Sequence, residues 1–146
     1  MIFRSCAGGV VFRDEKVFIM KNEKNEWVLP KGKIRNGFLA SETAMERVND
    51  EAGLDVEIIS TAGETSYEFY SFSRQQPVCN EITWFIMEAK DINFVVNKES
   101  GVFEAGFYNI DEAIDMITYS QDKSLVSLSY RKFLKLKEKE VSLVKG

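Results

Sequence analysis

The chain has 146 residues, 45% hydrophobic and 29% charged, with a formal net charge of −4. These values suit one globular domain over residues 1–146 with room for a single core. They argue against a general nucleic-acid or membrane-surface binder, since both need a basic excess, and no apolar run approaches the roughly 20 residues of a membrane span. The N-terminus, MIFRSCAGG, is too short and polar to read as a signal peptide. Cys6 and Cys79 lie far apart in apolar segments, the pattern of buried free thiols in a reducing cytoplasm. Histidine is absent, which excludes serine–histidine triads, cysteine–histidine pairs and histidine-ligated zinc. Chemistry on this chain must use carboxylates, Lys, Arg, Tyr or a hard metal ion.

In chain order, the apolar runs Cys6 to Phe12 and Lys16 to Met20 flank Arg13-Asp14-Glu15 and predict a hairpin. Trp27 to Pro30 is a short apolar stub, and Lys31 to Gly37, with two glycines and three basic residues, reads as a loop. Ala40, Ala44, Val48 and Ala52 recur every four residues on one face, which predicts a helix from about Ala40 to Ala52 that Gly53 ends. Val56 to Ile59, Glu64 to Phe72 and Ile82 to Ala89 are aromatic and β-branched enough for strands, with Ser73 to Asn80 joining the last two. Val102 to Asn109 predicts a further strand, Asp111 to Ile117 a short helix, and Asp122 to about Lys139 a longer one with Leu125, Leu128 and Leu136 among its apolar positions. The charge run Lys135 to Glu140 reads as a solvated helix face. Strands on both sides of a helix, with another helix at the end, predict a mixed α/β or α+β sandwich.

The informative stretch is WVLPKGKIRNGFLASETAMERVNDEAGL. From Gly32 to Leu54 it resembles the signature box of the Nudix hydrolases without a gap. Gly32, Val48, Glu51, Gly53 and Leu54 match that box, and Asp50 is a close substitute for one of its glutamates. The lead-in Trp27-x-Leu29-Pro30-Lys31-Gly32-Lys33 is common in the family. Ala7 to Phe12 looks like its first strand, and Phe107 to Ala113 like its last strand entering a helix. Ile117-Thr118-Tyr119 before Asp122 resembles the members that cleave dinucleoside polyphosphates. The resemblance implies an α+β fold, a mixed sheet between helices in an α/β/α sandwich. It also implies cleavage of a diphosphate in a nucleoside-diphosphate derivative with Mg²⁺ or Mn²⁺, because a divalent ion neutralises phosphate charge and activates water.

Helix positions i, i+3 and i+4 share one face, and there the family places three metal-binding glutamates. Here those positions are Arg47, Asp50 and Glu51. Asp50 and Glu51 retain the chemistry to bind metal, whereas Arg47 removes a carboxylate and adds a cation. A guanidinium about 6 Å from Mg²⁺ costs on the order of 5 kcal/mol at an effective dielectric of about 20, less if the side chain swings away. Arg47 is also placed to pair with Asp50 or Glu51 and occupy the metal's position. Two further box positions, a glutamate and an arginine that help hold the loop against the helix, are Phe38 and Glu46. A shifted metal site on Glu42, Glu46 and Asp50 is the alternative to a plain acidic helix face. Glu104, and after it Glu99, precede the last strand, where the family often carries a carboxylate that binds metal or acts as general base.

The resulting expectations are Asp50, Glu51 and Glu104 as metal ligands and catalytic groups, and Lys31, Lys33 and Tyr119 as substrate-binding residues. Lys31 and Lys33 suit phosphate, whereas Arg4 and Arg35 read as ordinary surface residues. Tyr67, Phe69, Tyr70 and Trp84 join Tyr119 as aromatics among which one or two could stack on a base. The expected partner is a small phosphorylated ligand, a nucleotide, with no nucleic acid or membrane and with a homodimer as an open option. Three functions compete: a metal-dependent diphosphate hydrolase with weakened activity, a non-catalytic nucleotide- or anion-binding module, and a protein-interaction domain.

Overall fold

The computed structural model describes residues 1–145. Its elements are β1 (Ile2–Arg13), β2 (Lys16–Lys21), β3 (Trp27–Val28), β4 (Lys31–Lys33), α1 (Ala40–Ala52), β5 (Val56–Ser71), β6 (Gln76–Ala89), a 3₁₀ turn (Lys98–Ser100), β7 (Glu104–Asn109), α2 (Ile110–Met116) and α3 (Ser120–Lys145). The strands form one mixed sheet in the order β3-β2-β1-β6-β5, with β4 added to β1 and β7 to β2. β1 runs parallel to β6 from the pair Ile2↔Val78 to Phe12↔Glu88. The other pairings are antiparallel.

Alternation along the central strands creates two cores, because successive strand side chains point to opposite faces. Val10 and Phe12 of β1 join Trp84 and Ile86 of β6 on one face, under Ala113 and Ile117 from the α2 region and Leu125, Val126 and Phe133 of α3. Ala7 and Val11 join Phe85, Met87 and Ala89 on the other, under Ala44, Val48 and Ala52 of α1. The α/β/α sandwich is therefore a consequence of period-2 patterning in strands that are covered on both sides.

α1 has the predicted bounds, with Gly53 in the left-handed conformation at φ 64° closing it on the Asn49 carbonyl. Its first turn is held by the Glu42 carboxylate, which accepts from the Leu39 N–H. Several strands differ from the sequence reading. The segment read as a loop from Lys31 opens as β4, paired Gly8↔Lys31 to Cys6↔Lys33. Gly8 makes that approach possible: a Cβ there would lie 2.6 Å from the Pro30 carbonyl oxygen. The two strands predicted between Val56 and Phe72 are one 16-residue strand. Register shifts at Ile58/Ser60 and Thr61/Gly63 absorb the interruption that the sequence suggests. β6 begins at Gln76, so the joining segment is only a tight turn. Pro77 is tolerated there because the pairing of β6 with β1 begins one residue later, at Val78. Leu128, expected among the apolar positions of α3, is 61% exposed. Both cysteines are buried and unpaired, and among the described residues no helix is long and apolar enough to cross a membrane.

Candidate functional site

The site is organised around Gly32, at the centre of β4, and α1, whose start is joined to β4 by the loop that ends at Leu39. A Cβ on Gly32 would lie 2.6 Å from Arg47 Cδ and 2.7 Å from Arg47 Nε. The glycine thus lets the strand lie directly on the arginine stem. The guanidinium then reaches one helical turn onward, and Arg47 Nη2 donates to Glu51 Oε1 at 2.7 Å. Glu51 is 5% exposed, and its second oxygen, Oε2, has no hydrogen-bond partner, nor does Arg47 Nε. Burial pushes the Glu51 carboxyl above its ordinary range; the Arg47 hydrogen bond and charge, with the charge of Lys31, oppose this without overcoming it. Glu51 thus stays above the usual carboxylate range even in its ion pair with Arg47.

The other two expected metal ligands lie elsewhere. Asp50 is exposed, and its backbone carbonyl accepts from the Asn97 side-chain amide at 2.9 Å. Glu104 heads β7, is mostly exposed, and faces Lys21 Nζ at 3.7 Å across the β2–β7 pair. Among the described residues, no three His, Cys, Asp or Glu side chains are gathered so as to hold a metal ion. The same applies to the alternative set Glu42, Glu46 and Asp50, which do not form such a group, and Glu42 is engaged at the helix start. Nudix hydrolases generally use divalent metals, and Mg²⁺ wants several oxygen ligands in near-octahedral array. A single buried carboxylate already engaged by a guanidinium does not fit that requirement.

Two cavities flank the Arg47–Glu51 pair. Glu51 lines one of about 150 Å³ together with Lys21, Asn22, Lys31 and the turn Ser100–Val102. Arg47 lines the other, of about 210 Å³, together with Lys33, Arg35, Phe38, Thr43 and Glu46. Phe38, at the box position of a glutamate, is 44% exposed, so it is not drawn into the core to hold the loop.

Lys31 links the first cavity to an aromatic shelf. Its Nζ stands 5.8 Å from the centre of the Tyr67 ring. The Tyr67 hydroxyl accepts from Asn80 Nδ2 at 2.8 Å. Tyr119 is brought alongside because Thr118 is tied to β3: its N–H donates to the Trp27 carbonyl at 3.1 Å and its hydroxyl accepts from the Trp27 N–H at 2.9 Å. The Tyr119 hydroxyl donates to Glu26 Oε2, which lifts the phenol to a pKa of about 12 and lowers the Glu26 carboxyl. Burial raises the Asp122 carboxyl, and the charge of Lys31 partly offsets this. One ammonium therefore acts on Glu26, Glu51 and Asp122 together.

Of the expected substrate-binding residues, Lys31 lies over the Tyr67 ring, Tyr119 is held by Glu26, and Lys33 lines the cavity on the Arg47 side. Tyr67 is on the shelf, but Trp84 is 1% exposed and donates to Thr65 Oγ1, making it a core residue. Sequence reasoning passed over Glu26, Asn80 and Lys21, which carry no motif, and discounted Arg35, which lines a cavity. Strand pairing brings Lys21 and Asn80 to the site, and the docking of Thr118 on β3 brings Glu26 to Tyr119.

A family model described as the NUDIX domain matches residues 3–128. Among solved structures, the fold is similar to a NUDIX hydrolase from Nitrosomonas europaea at TM-score 0.68 and 18% identity, over 86% of this chain and 69% of that one. It is similar to a C. elegans Ap4A hydrolase at TM-score 0.68 and 16% identity, over 90% of this chain and 98% of that one. It is also similar to the E. coli dihydroneopterin triphosphate pyrophosphohydrolase at TM-score 0.66 and 13% identity, over 86% of this chain and 95% of that one. At these identities the structural likeness establishes the α+β fold, and the domain match, which spans most of the sequence, establishes the family: this chain belongs to the Nudix family.

Proposed function

We propose that this chain binds a nucleoside-diphosphate derivative, a nucleotide or dinucleoside polyphosphate, at Lys31 and the exposed aromatic surface of Tyr67 and Tyr119. In this reading it is a Nudix diphosphate hydrolase whose metal-dependent activity is strongly weakened. One observation carries the second part: Arg47 Nη2 lies 2.7 Å from Glu51 Oε1, where the family collects carboxylates for a divalent ion. A metal would have to displace the guanidinium from a buried carboxylate, and two like-signed groups in one small site repel strongly. Support for the ligand class comes from chemistry. The Lys31 ammonium over the exposed Tyr67 ring matches a phosphate next to a base, since lysine attracts phosphate and aromatic faces accept stacking. The names of two structural neighbours point to phosphorylated substrates of that kind, Ap4A and dihydroneopterin triphosphate. The unpaired thiols agree with a reducing, cytoplasmic setting.

The test is a panel of nucleotides, nucleotide sugars and dinucleoside polyphosphates, assayed for turnover with Mg²⁺ and Mn²⁺ and, separately, for thermal stabilisation in chelator. The reading expects stabilisation by at least one nucleotide, little turnover by the native chain, and a gain of metal-dependent turnover in Arg47→Glu. Rapid divalent-dependent cleavage by the native protein would refute the weakened-hydrolase part, and absence of binding across the panel would refute the ligand class.

A further inference from the structure

The cavity on the far side of Arg47 is distinct from the aromatic shelf, and its charged lining is mostly cationic: Lys33, Arg35 and Arg47 stand against the one carboxylate of Glu46, with Phe38 and Thr43 completing the wall. We propose that it is a metal-free site for a diphosphate group, held directly by these cations where relatives of this fold use a bound ion. This goes with the reading above but has its own residues and its own failure.

Three observations support it. Arg47 is fixed in advance, with its stem against Gly32 and Nη2 on Glu51, so little side-chain freedom remains to be lost when an anion arrives. Guanidinium groups present several donors in a plane that suits phosphate oxygens, and lysine adds a point charge. Among the described residues, Lys33 and Arg35 form no ion pair with a carboxylate. The size of the cavity also selects the ligand. About 210 Å³ is below the roughly 300–1,000 Å³ of pockets that enclose a drug-sized molecule, so it suits the phosphate end of a ligand and not a whole nucleotide.

The probe is inorganic pyrophosphate, titrated calorimetrically into the full chain in excess chelator, with a nucleoside, its monophosphate and its diphosphate as parallel arms. Native protein is expected to bind pyrophosphate without metal, and Lys33→Ala and Arg35→Ala are each expected to weaken it about tenfold. Both residues are exposed, so unchanged thermal unfolding of the variants without ligand verifies that the fold is intact. If the nucleoside diphosphate weakens in parallel, the site takes the phosphates of the nucleotide. If only pyrophosphate weakens, it takes the free diphosphate; both results support the proposal. No binding of pyrophosphate in chelator, or binding that survives the Lys33→Ala/Arg35→Ala double substitution, overturns it. Nucleotide binding that persists in that case would leave the shelf reading standing, and pyrophosphate binding without any nucleotide binding would do the reverse.

Discussion

Replacing Arg47 by leucine is expected to destabilise the protein in a pH-dependent way. The substitution keeps an apolar stem beneath Gly32 and removes the one donor to Glu51 Oε1 among the described residues. Glu51 is then a buried carboxyl with neither oxygen hydrogen-bonded, since Oε2 already has no partner. Removing one member of a buried ion pair costs about 3–5 kcal/mol when the remaining charge has no relief. Glu51 has relief, because burial already raises its proton affinity and losing Arg47 removes the strongest opposing influence. That relief is weakest at alkaline pH, where the low end, about 3 kcal/mol, is expected because the Arg47 side chain is itself 28% exposed, and less once Glu51 is protonated. For a chain of this length 3 kcal/mol corresponds to a fall in Tm of about 10 °C. The sign follows from linkage. A carboxyl raised in the folded state holds more protons folded than unfolded between the two pKa values, so stability falls as pH rises through that window. The substitution widens the window upward. Thermal unfolding followed by circular dichroism at pH 5 and pH 8 reads the effect, with the gap between native and variant larger at pH 8. Equal Tm values for the two proteins at both pH values would refute the view that Arg47 neutralises a buried charge.

Two other substitutions examine neighbouring parts of the account. Gly32→Ala puts a Cβ 2.6 Å from Arg47 Cδ and so must move the arginine stem; chemical denaturation should report a loss of about 1–3 kcal/mol, and an unchanged midpoint would mean that the stem yields freely. Glu26→Gln removes the anion that holds the Tyr119 phenol at a pKa of about 12, so a spectrophotometric titration should show one tyrosine ionising at lower pH in the variant, and superimposable curves would contradict the pairing.

How much of this could be read in the sequence depended on the range over which each feature is encoded. The bounds of α1 were legible because a four-residue apolar period and a terminal glycine are local signals. The spacing from Gly32 to Leu54 was legible for the same reason, and it implied that Arg47 could pair with Asp50 at i+3 or Glu51 at i+4, of which the second is the contact found. The continuity of β5 was not legible, because bulges at Ile58/Ser60 and Thr61/Gly63 interrupt the alternation without ending the strand. Lys31 to Lys33 read as a loop because its pairing partner, β1, lies over twenty residues earlier and supplies the glycine that makes room. The shelf was only half legible. Tyr119 stood next to a recognisable segment, but Glu26 is 93 residues away from it in sequence and reaches it only through the docking of Thr118 on β3. Glu104 was read as preceding the last strand and is instead its first residue, paired with Lys21, a partner that cross-strand register alone determines.

The central claim is electrostatic: a guanidinium occupies the carboxylate that a divalent ion would need. Calorimetric titration of Mn²⁺ into native protein and Arg47→Glu tests it without any substrate. The account predicts weak or undetectable binding by the native chain and affinity at least about tenfold higher in the variant. Tight Mn²⁺ binding by the native protein, unchanged in Arg47→Glu, would contradict it.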